Sequence, residues 1–166
     1  ESLQLLKVVG QLRQAQEVAR GGVSLSAPEQ VVLTEGGTWE LAFRTTLPVE
    51  DWNAQISLLT GMAAAELMLG AKIGILRTLP PARQGDIDRL RHVAKGLRLT
   101  WPGSMPYAEF VRSLDPAVPG QAAMLNACTR LFRGAGYAAF DGTVPEQRFH
   151  AALAVEYAHC TAPLRR

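Results

Sequence analysis

Pro48-Val-Glu-Asp-Trp-Asn-Ala-Gln-Ile-Ser-Leu-Leu-Thr-Gly-Met-Ala-Ala-Ala-Glu-Leu-Met-Leu69 reads as a single long helix, and its faces dictate how the rest of the chain must be arranged. Proline suits the first turn, where its missing N–H would have no helical partner, and Glu50 and Asp51 complement the positive end of the helix dipole. At 100° per residue, Trp52, Ile56, Leu59, Ala63 and Leu67 form one apolar stripe, and Leu58, Met62, Ala65 and Leu69 form a second. A helix apolar on two sides is expected to be deeply packed. Between the stripes runs a narrow face of Glu50, Ala54, Ser57, Gly61 and Ala64, flanked by Asn53 and Thr60. Glycine inside a helix costs about 1 kcal/mol against alanine, so Gly61 predicts that another segment approaches this face closely.

On the N-terminal side, Leu3 to Arg20 reads as an amphipathic helix, with Leu5, Val8, Val9, Leu12 and Ala15 at helical spacing and Gly21-Gly22 as its stop. Glu29 to Thr34 and Thr38 to Thr45 are rich in Val, Thr, Trp and Phe and are separated by Glu35-Gly36-Gly37, which predicts a β-hairpin. On the C-terminal side, Gly70 ends the long helix and Ile73 to Thr78 reads as a short buried strand closed by Pro80-Pro81. Asp86 to Leu97 is a basic amphipathic helix carrying Arg89, Arg91 and Lys95, and Trp101 to Pro106 is a loop. Tyr107 to Leu114 and Gln121 to Phe132 are further helices, divided by Asp115-Pro116 and Pro119-Gly120, and Gly134-Ala-Gly136 breaks the chain again. The expected fold class is α+β, a helix-rich single unit with a β-hairpin and short strands.

The 166 residues are 48% hydrophobic and 19% charged, which excludes disorder as the main state. No apolar run approaches the roughly 20 residues that cross a bilayer, so no membrane partner is expected. A net charge of +2 does not announce a nucleic-acid binder, but three lysines leave 14 of the 17 basic residues as arginine. Guanidinium suits bidentate contacts to phosphate or carboxylate, and high genomic G+C would give the same bias. Cys128 and Cys160 lack disulfide-framework or metal-ligand spacing, and a reduced, cytoplasmic setting is the expectation. Thr161-Ala-Pro163-Leu-Arg-Arg166 carries helix-start chemistry, which reads as a piece of a longer chain.

Four blocks together carry a resemblance. Tyr157-Ala-His-Cys-Thr-Ala-Pro-Leu-Arg-Arg166 is similar to the Tyr-Ala-His-Phe-Thr-Ser-Pro-Ile-Arg-Arg signature of the ribonuclease II/R family catalytic (RNB) domain. Val49-Glu-Asp51 resembles the family's Val-Glu-Glu helix start. Gly74-Ile-Leu-Arg-Thr-Leu-Pro80 resembles a Leu-Leu-Arg-Val-His type run followed by proline, and Arg20-Gly-Gly-Val-Ser-Leu-Ser-Ala-Pro-Glu29 an Arg-Gly-Ala segment leading to Pro-Glu. The blocks stand in the family order and cover most of the chain, weakly from about 81 to 120. The resemblance implies that 1–166 is a partial RNB catalytic domain, lacking the upstream aspartate-bearing segment and the helix after Arg166.

That family implies a hydrolytic 3′→5′ exoribonuclease that degrades single-stranded RNA to nucleoside 5′-monophosphates with Mg²⁺ held by clustered aspartates. Here Asp51, Asp86, Asp88, Asp115 and Asp141 are scattered, so no metal ligand is assigned and this piece alone is expected to be inactive. The implied catalytic residue is Arg165, whose guanidinium would grip the scissile phosphate at a helix N-terminus. Glu50, or alternatively Asp51, would accept from a ribose 2′-OH. Asn53, Ser57, Arg77, His159 and Arg166 complete the candidate RNA contacts. Ala162 and Cys160 stand where the family has Ser and Phe, Ser57 where Asn is usual, and Ala151-Ala152 where Phe-Gly is common. The remainder of the catalytic domain and flanking OB-type RNA-binding domains are the implied partners. Bland readings exist for each residue: dipole compensation for Glu50, core packing for His159, Tyr157 and Phe149, and a solvated face for the basic helix at 86–97. A non-catalytic RNA-binding or interaction module derived from the same domain is the alternative function.

Overall fold

A computed structural model describes residues 1–25, 29–44 and 46–160. Helix α1 (Ser2–Ala19) packs along α2 (Pro48–Ala71), and the antiparallel hairpin of β1 (Glu29–Glu35) and β2 (Thr38–Arg44) connects them. Strand β3 (Ile73–Thr78) leads into α3 (Gln84–Gly96), α4 (Tyr107–Arg112), α5 (Pro119–Cys128) and a 3₁₀ turn at Thr129–Phe132. The chain then returns as β4 (Gly136–Asp141), antiparallel to β3, and closes with the short hairpin of β5 (Phe149–His150) and β6 (Val155–Glu156). This is the α+β class expected.

β3 organises the C-terminal half. β4 pairs with one edge, placing Arg77 opposite Tyr137. On the other edge the Arg77 N–H donates to the Tyr157 carbonyl at 2.7 Å, and the Leu79 N–H to Phe149 at 3.1 Å. Alternation then sorts the side chains. Leu76 points down onto Ala65, Phe140 and Ala158 to form one small core, whereas Arg77 is left on the opposite face. A second core joins α3, α4 and α5 around Phe110, Met124, Leu125 and Cys128. There Trp101 stacks on Phe110 with centroids 4.1 Å apart, and the Arg91 guanidinium lies 4.4 Å over the same indole.

Several expectations need correction. The apolar stripe of α1 faces outward, with Leu12 62% exposed, and the helix meets α2 through Gly10 and Glu17. Gly10 lies so close to Trp52 that a Cβ would collide with it; periodicity marks an apolar face but not the face that a close helix crossing selects. The outer stripe of α2 is half-buried at Trp52 and Ile56, where Trp52 meets α1, and uncovered beyond them, Leu67 being 75% exposed; the helix fully buries only Gln55, Gly61 and Ala65. α2 also runs past Gly70 to Ala71, with Lys72 taking the left-handed terminal conformation at φ 55°. By length and composition it is long and apolar enough to cross a membrane, although Glu50, Asp51 and Glu66 keep it from being one uninterrupted apolar run. Its surroundings here are α1, β3 and the 157–158 segment. The helix expected over 121–132 divides into α5 and the 3₁₀ turn, and β4 occupies residues read only as following a break. Thr45, expected to end β2, and residues 161–166 lie outside the described residues.

Candidate functional site

The first turn of α2 sets the site. Glu50 reaches back to accept the Leu47 N–H at 2.7 Å, closing one of the open donors at the helix start. Both its oxygens also lie 3.0 Å from Arg44 Nη1, and Arg44 bonds Glu29 at 3.1 Å across the hairpin. The backbone donor first, and then Arg44, hold the Glu50 carboxyl below its ordinary range. One lone-pair direction of the carboxylate remains for a further donor. Asp51 is shifted the opposite way, raised by burial and then by the neighbouring Glu50 charge.

Asn53 and Ser57 follow Glu50 on the same face at helical spacing. The opposing wall comes from the far end of the chain and is fixed by Gly61. Ala158 donates its N–H to the Gly61 carbonyl at 3.0 Å, and the Tyr157 ring lies against the glycine. A Cβ at Gly61 would fall 2.6 Å from the Ala158 carbonyl oxygen, so the close approach expected of this glycine is present. The third wall is the Arg20–Ser24 segment. Arg20 Nε donates to the Leu153 carbonyl at 2.8 Å and the Val23 N–H to Ala152 at 2.7 Å. The Arg20 block that contributed to the resemblance is thereby tied to the turn just before the Tyr157 block, across 133 positions.

The open cleft between these walls has a volume of about 910 Å³ and is lined by Ser24, Val49, Glu50, Asn53, Ala54, Ser57, Leu58, Leu153, Tyr157 and His159. Four of the residues singled out in sequence, Glu50, Asn53, Ser57 and His159, therefore meet in one place. Asp51 does not join them. It lines a neighbouring cavity of about 370 Å³ with Glu17, Gln55 and Arg112, so Glu50 is the acid of the pair that faces the cleft. Sequence reasoning missed Ser24 and Leu153, whose contribution depends on the Arg20–Leu153 junction. Arg77 stands outside the cleft, its guanidinium 4.5 Å over the Tyr137 ring. Arg165 and Arg166 lie outside the described residues.

Chemically the cleft offers a carboxylate, an amide, a hydroxyl, an imidazole and an aromatic ring. These suit hydrogen bonding to sugar hydroxyls and stacking on bases. Among the described residues no three His, Cys, Asp or Glu side chains converge to hold a metal ion. The residues present do not fit a Mg²⁺ centre, and no step through a metal is derived from them.

No model of a protein family matches the sequence, and no curated protein matches it. The fold, by contrast, is one found in solved ribonuclease structures. RNase R of Mycoplasma genitalium in complex with ribose-methylated single-stranded RNA superposes with a TM-score of 0.77 at 19% identity, over 99% of this chain and 26% of that one. Its apo form gives the same values. Its complex with double-stranded RNA gives a TM-score of 0.76 at 19% identity, over 99% of this chain and 30% of that one. The chain thus has the fold of a portion of RNase R and spans between a quarter and a third of the length of those proteins.

Proposed function

We propose that this chain is part of an exoribonuclease of the ribonuclease II/R type, acting in RNA degradation in the cytoplasm on single-stranded RNA. Hydrolysis would proceed 3′→5′ and release nucleoside 5′-monophosphates. The observation that carries the reading is the meeting of Glu50, Asn53, Ser57 and His159 in the 910 Å³ cleft, although His159 lies more than a hundred positions from Glu50. In this reading Glu50 accepts from a ribose 2′-OH, which favours RNA over DNA. Asn53, Ser57 and His159 orient the nucleotide, Arg77 contacts phosphate outside the cleft, and Arg166 is a further phosphate contact. Arg165 neutralises charge developing on the scissile phosphate. Mg²⁺ would be held by carboxylates other than those described, on the remainder of the catalytic domain, with OB-type domains alongside.

The second reading, a non-catalytic RNA-binding or interaction module, is favoured by one observation. Glu50 already has structural work, holding Leu47 and Arg44. The test separates them. The chain, joined to the aspartate-bearing segment of its parent protein, is given 5′-labelled single-stranded RNA with Mg²⁺ or with chelator. Stepwise shortening from the 3′ end with nucleoside monophosphate release, abolished by chelator, is the expected result. RNA binding without shortening selects the module, and absence of binding sinks both.

A further inference from the structure

The face of the β3–β4 pair opposite the small core has no role in the cleft just described. Alternation leaves Arg77 on this face, and the register sets Tyr137 directly across from it. The guanidinium lies 4.5 Å over the Tyr137 ring, and the ring remains 57% exposed. Among the described residues no carboxylate pairs with Arg77. Its charge is held in place by an aromatic neighbour rather than neutralised. The Tyr137 hydroxyl lies 3.5 Å from His159 Nδ1, and His159 is itself stacked near Tyr157, at 6.2 Å between centroids and 29° between planes. An aromatic series therefore runs from the cleft wall at Tyr157, through His159, to an open ring at Tyr137.

The other exposed aromatics differ. Trp39 and Phe43 lie on one apolar face of the β1–β2 hairpin with Leu41, Phe149 is 45% exposed in β5, and no cation lies over any of these three rings among the described residues. Among the described residues, only Tyr137 combines an exposed ring, an unneutralised cation and continuity with the cleft. That set matches one nucleotide unit, a flat base beside a phosphate.

We infer that Tyr137 is a stacking platform for one unpaired nucleobase of single-stranded RNA, with the Arg77 it supports contacting the adjoining phosphate. The inference rests on the RNA reading above and extends the bound strand beyond the cleft, past His159. Stacking is indifferent to base identity, so the platform adds affinity without sequence preference.

The test uses the full chain and a single-stranded oligoribonucleotide carrying 2-aminopurine at one position at a time. Fluorescence quenching at one position is expected, together with loss of that quenching and at least a roughly fivefold weaker affinity in Tyr137→Ala. Tyr137→Leu, which keeps apolar bulk, should behave like Tyr137→Ala, and Tyr137→Phe and Tyr137→Trp should retain binding. Replacing the quenched position by an abasic site should erase the difference between the parent and Tyr137→Ala. RNA binding by the parent chain that survives Tyr137→Ala within twofold overturns the platform and leaves the RNA reading intact. An equal loss on the abasic strand also overturns it. No RNA binding by the parent chain removes both.

Discussion

Tyr157 rests directly on Gly61, with the backbone of the next residue hydrogen-bonded to the glycine carbonyl at 3.0 Å. That contact locks the C-terminal wall of the cleft to the central helix, and it leaves no space for a methyl group. Gly61→Ala should improve intrinsic helix propensity yet destabilise the protein by about 1–3 kcal/mol through overpacking. Gly70, in the same helix with nothing near its missing side chain, is the control: Gly70→Ala should be neutral or stabilising by up to about 1 kcal/mol. Thermal denaturation of the two variants decides the matter, and equal melting temperatures would show that the close approach is not needed.

The pairing of Glu50 with the Leu47 N–H and Arg44 makes stability depend on pH in a defined direction. The folded carboxyl titrates below its ordinary value of 4.5. Its contribution is therefore fully present above about pH 4.5 and fades as pH falls through the lower, folded-state value. Asp51, raised above its ordinary 3.8 by burial, works the other way: its destabilising effect is present at neutral pH and eases as it protonates. A carboxyl-carbon NMR titration should place the two midpoints on opposite sides of their ordinary values. Arg44→Ala should move the Glu50 midpoint up only part of the way, because the Leu47 donor remains. A Glu50 midpoint at or above 4.5 in the parent protein would contradict the geometry.

What the sequence disclosed follows from which interactions are local. The small-residue face of α2 and the role of Gly61 were readable, because a costly glycine among small residues on one helix face has few explanations. The meeting of Glu50 with His159 was not readable from spacing; it depends on the pairing of β3 with residue 157 and on the Arg20–Leu153 contact, both far apart in sequence, and only family resemblance pointed to it. The orientation of α1 was not readable, because Leu5, Val8 and Leu12 define an apolar face without saying what covers it, whereas the contact actually made runs through Gly10. β4 escaped notice although Gly136-Tyr-Ala-Ala-Phe-Asp141 is bounded by glycines at 134 and 142. Its alternation is weak, since two of the six positions are alanine.

Two arginines on α3 that look alike in sequence should behave differently. Arg91 donates to the carbonyls of Trp101, Pro102, Gly103 and Met105 and lies over the Trp101 ring. Arg89 is largely solvated, with a 3.8 Å approach to Asp86. Arg91→Ala should cost about 2 kcal/mol, because several loop carbonyls lose a charged donor, and Arg91→Lys should recover little of it. Arg89→Ala should stay within about 0.5 kcal/mol. Denaturant unfolding measures both. Neither variant should change RNA affinity, since the basic helix reads as a folding element; a marked loss of affinity in Arg89→Ala would instead make this helix part of the RNA path.

The proposed catalytic arginine is testable by substitution. If Arg165 stabilises charge on the phosphate only as the bond breaks, Arg165→Ala in the complete enzyme should lower kcat by roughly 10²–10³-fold. RNA affinity should change by no more than about threefold, because an interaction confined to the transition state leaves ground-state binding intact. Arg165→Lys should not restore turnover, since an ammonium group cannot grip two phosphate oxygens in the planar, bidentate manner of guanidinium. Glu50→Gln offers the contrast: a carboxylate that reads the ribose should, when neutralised, weaken discrimination between RNA and the matching DNA strand more than it slows cleavage of RNA. Single-turnover rates and equilibrium binding on matched RNA and DNA oligonucleotides separate the two roles. Equal losses of turnover and affinity in Arg165→Ala would make that residue an ordinary phosphate anchor rather than a transition-state group.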